Sequence, residues 1–325
     1  MSSMSTAPAQ PASKAPTTTT RAPHVDGTRI RALKYDNPDE RHAAILVLTR
    51  SFATGNVQNW LAGVKQPGLS APACTLSQSK VKSQLTREQR NLYYFYSGML
   101  SSSFITGGRV LVVVEPVPPI SNGPSVLRDY TVVQNPDVQT SDDVAVKQEA
   151  IRVVVMWNAP GAKIDDIGVV IKSKQLRTMS GGTFPWTGWG IRGTLRALSI
   201  QGKFVSRHKT ACKDAGVVHA SCWTLEVLAT DPDSEGRGFA GIAIREGLSY
   251  IDGIGSPCLL EASEPRPKAI YERFGWKDTA TFQSGVGIVR SDGLVPNGST
   301  PSKTSANELI GVTSWTMLRL PPKSM

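Results

Sequence analysis

The chain has 325 residues, with 36 Lys and Arg against 26 Asp and Glu, a net charge of +10, and 40% apolar content. A chain this long buries enough apolar surface to fold without disulfides, and 4 Cys are too few for a disulfide framework. No stretch of about 18 apolar residues is present to cross a membrane, no apolar core follows a positive start as in a secretory leader, and no run of like charges or aromatic-interleaved RNA motif marks a nucleic-acid binder.

Residues 1–28 are Ser, Thr, Pro and Ala with almost no large apolar side chains, which predicts a disordered tail. Lys14 and Arg21 without an acid before Asp26 faintly suggest a mitochondrial transit peptide, but the prolines oppose the amphipathic helix it needs. A cytoplasmic chain with reduced thiols is expected, and residues 29–325 read as one mixed α/β domain. Residues 29–33 alternate like a strand, and Asn37-Pro38 opens a helix that runs to Phe52. Thr86 caps a long helix from Arg87 to about Phe104, Gly107-Gly108 ends it, and RVLVVVE (109–115) is a buried strand. Residues 116–149 read as an excursion before the strand AIRVVVMW (150–157). Two or three helices are expected within an insertion at 159–219. After it come the strand WTLEVLAT (223–230), a helix (239–252), the strand PCLLEA (257–262) and a helix (267–274). A polar insertion (285–306) precedes a last strand near 308–318.

The informative stretch is 223–276. Between its first strand and helix lies Asp231-Pro232-Asp233-Ser234-Glu235-Gly236-Arg237-Gly238-Phe239-Ala240-Gly241. Glycines there let the backbone turn tightly and approach a ligand. The loop amides and the first helical turn lack helical partners, and with the helix dipole they suit a pyrophosphate, to which Arg237 adds a charge-assisted bond. One reading is dinucleotide binding, since Gly236, Gly238 and Gly241 satisfy G-x-G-x-x-G and Glu261 lies 20 residues past Gly241. Against it, five residues separate the strand from the first glycine. A calcium loop starting at Asp231 fails because its twelfth position is Ile242. An ordinary Gly-rich turn is the plain structural alternative.

Three linked pieces resemble the GNAT superfamily of acyl-CoA-dependent N-acetyltransferases. The family's Gln/Arg-x-x-Gly-x-Gly/Ala reads here Glu235-Gly236-Arg237-Gly238-Phe239-Ala240, with Glu235 a departure from the family. Its preceding strand ends like Leu228-Ala229-Thr230-Asp231-Pro232. Downstream stand Leu260-Glu261-Ala262-Ser263 and then Tyr271-Glu272-Arg273-Phe274-Gly275-Trp276, where the family has Tyr-Glu-Arg-x-Gly-Phe. The resemblance is clear over about 222–276, with echoes at Arg109–Glu115 and Val154–Gly161, and is closest to fungal and bacterial small-molecule members, the puromycin acetyltransferase type included.

The resemblance implies a central, mostly antiparallel mixed sheet flanked by helices; whether the strand bearing Glu226 splays from PCLLEA to leave a V-shaped slot is the observation that decides it. It implies acetyl-CoA as co-substrate, a small-molecule amine (or hydroxyl) as acceptor, direct transfer in a ternary complex and no metal, in detoxification or secondary metabolism. A protein or histone acceptor is the enzyme alternative; a non-catalytic CoA- or dinucleotide-binding module is the contrasting one. Glu226 is the candidate base, expected to share its strand face with Thr224 and Leu228 while Leu225 and Val227 take the other. Tyr271 is the candidate donor to the departing thiolate. An amide of Leu228 or Ala229 would polarise the thioester carbonyl, Leu228, Ala229 and Thr230 would pair with the pantetheine amides, and Glu235–Gly241 with Ser263 complete the coenzyme site.

Trp157 and Trp186, with Trp189, Tyr93, Tyr94 and Tyr96, are candidate acceptor-site residues, although such aromatics are more often plain core. His208, Cys212, His219 and Cys222 fall within 15 residues, but the spacing suits no zinc pattern, so buried thiols and partly exposed histidines are expected there.

Overall fold

A computed structural model describes residues 27–65, 68–117, 129–134, 148–164, 166–177, 189–296 and 308–322. Residues 1–26 of the expected tail, much of the 116–149 excursion, Trp186 and part of the 285–306 insertion lie outside the described residues. Strand β1 (Arg29–Ala32) leads to α1 (Pro38–Ser51), α2 (Asn56–Ala62), α3 (Val81–Gln84) and α4 (Arg87–Ile105). Then come β2 (Arg109–Val117), β3 (Val132–Gln134), β4 (Gln148–Asn158), α5 (Ile167–Lys172) and α6 (Gly190–Asp214). The C-terminal part runs β5 (Trp223–Thr230), α7 (Phe239–Gly253), β6 (Cys258–Ala262), α8 (Pro265–Arg273), β7 (Lys277–Ser284) and β8 (Val312–Arg319).

The helix starts follow their caps. Asn37 Oδ1 accepts from the amides of Asp39 and Glu40 ahead of Pro38 in the first turn, and Thr86 forms a reciprocal capping box with Gln89. Four elements go beyond the sequence reading. α2 is a short helix that buries Trp60 and Leu61, α3 and β3 are three- or four-residue pieces, and β7 is an edge strand whose mostly exposed, polar residues give little alternating apolar signal.

The strands form a mixed sheet in the order β1-β2-β4-β5-β6-β8-β7, with β3 also on β4; every pairing is antiparallel except β5 with β6. β2 and β4 read as unbroken apolar runs because both faces are covered. Val110, Val112, Val114, Val154 and Met156 pack under α1 and α4, while Leu111, Val113, Val153, Val155 and Trp157 pack under α7. Trp157 is therefore core and not acceptor site: it is 1% exposed and stacks on Trp276 at 6.4 Å. A Cβ on Gly247 of α7 would lie 2.3 Å from the Trp157 ring. Gly247 costs its helix about 1 kcal/mol against alanine, and the indole explains why it stands there. Gly247→Leu is expected to lower stability by about 1–3 kcal/mol through overpacking, read as a lowered denaturation midpoint; an unchanged midpoint would show that the indole moves aside.

Candidate functional site

β5 and β6 pair only at Trp223–Cys258, Thr224–Leu259 and Leu225–Leu260. Beyond that point β5 continues to Thr230 and β6 to Ala262 with no ladder between them, so the two strands fork. The fork coincides with an irregularity between β5 and β4. Met156 opposes Val227 and Trp157 opposes Leu225, which leaves Glu226 as the extra residue of a β-bulge.

The bulge reverses the strand's alternation. Leu225 packs in the cluster under α7 and Val227 in the cluster under α1 and α4, so they do not share a face as strict alternation predicts. Leu228 packs on the α7 side, whereas Glu226 accepts from Asn158 Nδ2 at 3.1 Å, and Asn158 is itself held by Ser103 of α4. Glu226 and Leu228 therefore sit on opposite faces. The backbone changes side as well. The Trp223 amide donates to Pro257 beside β6, whereas the Asp231 amide donates to Arg152 of β4. Alternation back from Asp231 turns the Ala229 amide to β4 and leaves the amides of Leu228 and Thr230 on the open edge of the fork. Of the two candidate carbonyl-polarising amides, only that of Leu228 faces the gap.

A cleft of about 1450 Å³ runs through the fork. This exceeds the roughly 300–1,000 Å³ of a small-ligand pocket and leaves room for a long carrier beside a second molecule. At one end it is lined by Glu235, Gly236, Gly238, Ala240 and Gly241, at the entry to α7. Gly236 (φ 78°) and Gly238 (φ 83°) are left-handed, a conformation that disfavours any side chain. The Gly241 amide is taken by the Gly238 carbonyl at 3.1 Å and is not free for a ligand, a correction to the expected run of open amides. Those of Gly236, Gly238 and Ala240 have no acceptor among the described residues. Phe239 is buried at the first helical position and lines the cleft with its neighbours.

The Arg237 guanidinium does not line this end of the cleft. It pairs in a bidentate manner with Glu115 of β2 and lies over the Phe239 ring at 4.6 Å. Glu115 also accepts from Arg152 Nε at 2.9 Å. Burial of Glu115 opposes its ionisation, but the hydrogen bonds from Arg237 and Arg152 outweigh it and hold its pKa below the usual 4.5. A depressed carboxylate stabilises the fold above its unfolded pKa, and that contribution is lost as pH falls through the folded value. Thermal unfolding followed below about pH 4.5 is expected to show an acid-side loss in the wild type that is smaller in Glu115→Gln; parallel curves would remove this pair from the acid response. Among the cations that line the cleft, Arg245 stands one turn past Gly241 and Arg266 in the first turn of α8, paired with Glu235 at 2.7 Å. Neither was singled out from sequence, although the one-turn spacing from the glycine loop is a readable signal for Arg245.

At the fork Tyr271 of α8 lines the cleft with its hydroxyl unpartnered among the described residues, its ring edge-on to Trp276 at 5.9 Å. Burial pushes its pKa above the usual phenol value. Ser263 also lines the cleft, and its carbonyl accepts from Asn56 Nδ2 at 2.7 Å. Beyond the fork the lining is mainly apolar and aromatic, including Phe52, Phe95, Met99, Trp189, Leu198 and Phe204, with Gln58, Gln175, Gln201 and Lys163 among its polar members. Of the further aromatics that the sequence offers, Trp189 and Tyr96 reach the cleft, while Tyr93 and Tyr94 belong to the core under α1 and α4. Cys212 and Cys222 sit with Sγ atoms 3.5 Å apart, and among the described residues no three His, Cys, Asp or Glu side chains are grouped to hold a metal. No helix among the described residues is long and apolar enough to cross a membrane.

No family model matches this chain. Solved structures align with this chain at low identity. Arylalkylamine N-acetyltransferase 2 from Aedes aegypti aligns at 11% identity and TM-score 0.42, over 91% of this chain and 99% of that one. A polyamine N-acetyltransferase of Drosophila melanogaster aligns at 13% identity and TM-score 0.41, over 90% and 99%. A histone acetyltransferase-related protein from Corynebacterium glutamicum aligns at 13% and 0.42, over 92% and 98%. Likeness at this level carries no functional argument, so the chemistry rests on the fork.

Proposed function

We propose that this chain is a GNAT-type acyltransferase that moves an acetyl group from acetyl-CoA to a primary amine by direct transfer in a ternary complex. The fork at the Glu226 bulge carries the reading. One irregularity opens a gap between two parallel strands, turns the Leu228 amide into it and sets a carboxylate beside it. A thioester carbonyl seated against the Leu228 amide gains an oxyanion donor where negative charge develops. The backbone from Leu228 to Thr230 offers strand-like hydrogen bonds to the pantetheine amides. Amides of Gly236, Gly238 and Ala240 with Arg245 and Arg266 suit the pyrophosphate. The ammonium form of an amine has no lone pair, so attack needs proton acceptors at the acceptor side, and Glu226 takes a proton from the attacking nitrogen. Tyr271, protonated through the neutral range, donates to the departing sulfur. The apolar, aromatic lining beyond the fork favours an amine on an apolar or aromatic carbon skeleton over a polyamine or a protein tail. The antiparallel β2, β4 and β5 lack the doubly wound parallel order that dinucleotide binding needs, which disfavours the dinucleotide reading.

Calorimetric titration with acetyl-CoA and thiol release with 2-phenylethylamine test the proposal. Saturable binding and amine-dependent release are expected, with Glu226→Gln lowering turnover about 10- to 100-fold. Binding of NAD in place of acetyl-CoA, or binding without release from any primary amine, would refute it.

A further inference from the structure

The fork carries a second carboxylate. Glu261 follows Leu260 on β6 as Glu226 follows Leu225 on β5, so the two acids occupy matching positions where the strands part. Its Oε1 accepts from Thr316 of β8 at 2.8 Å, and the same oxygen lies 3.0 Å from Nε2 of His208 on α6. His208 is 8% exposed, and its Nε2 and Glu261 Oε2 are sealed from solvent without a hydrogen bond of good geometry. Nδ1 is the ring nitrogen left open, and His208 lines the cleft. A carboxylate at one imidazole nitrogen and a free face at the other is the arrangement that orients a histidine base. Poor alignment in the ligand-free state is common for such pairs.

Resting on the acetyl-transfer reading, we propose that His208 takes the first proton of the incoming ammonium through Nδ1 and that Glu261 is the positioning residue that holds Nε2–H. Two protons must leave the nitrogen. The first N–H bond breaks before attack, its electron pair becoming the nucleophile and its proton passing to Nδ1 of neutral His208. The nitrogen then adds to the carbonyl carbon as the C=O π pair moves to oxygen. The second proton leaves the tetrahedral nitrogen for Glu226. The C–S bond breaks as the carbonyl re-forms, and sulfur takes one proton from Tyr271, which Glu226 replaces. The imidazolium releases the other to water, so ammonium and acetyl-CoA give amide, free thiol and one proton. Against His208 stand Glu261 of β6 and His219, whose ring is 6.1 Å away; Lys209 is its neighbour on α6, Cys212 follows one turn on and touches Cys222, and Glu226 of β5 lines the same cleft. Burial, then the nearby His208 and Lys209, lowers the His219 pKa, which disfavours a second cation beside His208.

The two proton acceptors differ in a measurable way. Raising pH supplies free amine and replaces the first step but not the second. Thiol release with acetyl-CoA and 2-phenylethylamine is followed from about pH 6 to 9.5, below the roughly 10.4 of an alkylammonium. His208→Gln is expected to lose about 10- to 100-fold in kcat/KM near neutrality, with the deficit shrinking toward the alkaline end, while Glu226→Gln keeps its deficit. Glu261→Gln is expected to lower kcat near neutrality with acetyl-CoA affinity unchanged, a deficit that shrinks toward the alkaline end as that of His208→Gln does. His208→Ala recovers turnover with added imidazole. A pH-independent His208→Gln deficit without imidazole rescue, in protein that binds acetyl-CoA normally, would overturn the dyad and leave the acetyl-transfer reading standing. No release from the wild type would instead remove that reading and the dyad with it.

Discussion

Tyr271→Phe is expected to lower kcat by about 10- to 1,000-fold, about 1.4–4 kcal/mol of transition-state stabilisation, with acetyl-CoA affinity nearly unchanged. The phenol is buried on α8 at the fork, and burial raises its pKa, so it stays protonated across the working range and holds a hydrogen for the departing sulfur. The same burial makes complete ionisation costly. In the proposed reaction the hydroxyl would therefore act by sharing its proton as the C–S bond lengthens, and be replenished as it gives it up. Phenylalanine keeps the ring that packs edge-on against Trp276, so the fold is undisturbed and the unfolding midpoint holds. Burst-phase and steady-state kinetics with matched binding titrations measure the effect. Unchanged turnover would reassign Tyr271 to packing.

Most of the frame was legible in the sequence because its signals are local. The Asn37 and Thr86 caps, the apolar runs of β2 and β4, and the strand–glycine loop–helix of 223–253 each declare themselves within a few residues, and the structure places them within one or two residues of the expected bounds. The bulge at Glu226 did not, because WTLEVLAT alternates faultlessly and the irregularity arises from how β4 pairs with it. A single extra residue changed the face of Leu228 and selected its amide over that of Ala229. Trp157 was misjudged for a related reason: an indole on a strand gives no sign of which helix covers it, and the glycine that admits it lies 90 residues away. His208 and Glu261 are each visible in the sequence, one in a zinc-like cluster and one as a dinucleotide acid, but their meeting needs α6 folded over β7 and β8 so that His208 reaches Glu261.

The glycine loop illustrates the same limit and shows what holds the coenzyme end in shape. From sequence, Arg237 is a phosphate ligand; in the fold, Glu115 claims its guanidinium, and the residue anchors the loop instead. The opposite end of the loop is tied by Arg50 of α1. The loop amides therefore stand on a frame pinned by two ion clusters from different elements, which keeps a helix entry with left-handed glycines from relaxing when no anion is bound.

Arg50→Ala is accordingly expected to cost about 3–5 kcal/mol of stability, a large share of the 5–15 kcal/mol that holds a typical domain together. The Arg50 guanidinium donates to Asp231 Oδ2 at 2.8 Å and to Asp233 Oδ2 at 2.6 Å, with a further bond at 2.5 Å to the Pro72 carbonyl. The Arg50 and Asp231 side chains are 6% and 3% exposed, so removal of the cation strands a buried carboxylate at the point where β5 enters the loop. Lysine cannot reach three acceptors from one point charge, so Arg50→Lys falls between wild type and alanine. Asp231→Asn combined with Arg50→Met removes both charges together and is expected to lose less than Arg50→Ala alone, since no unpaired ion remains. Urea denaturation gives the stabilities, and acetyl-CoA titration of the folded fraction reads the loop, where affinity falls as the frame loosens. A loss below about 1 kcal/mol, the scale of an exposed pair, would mean that water reaches Asp231 and that the loop holds its shape without α1.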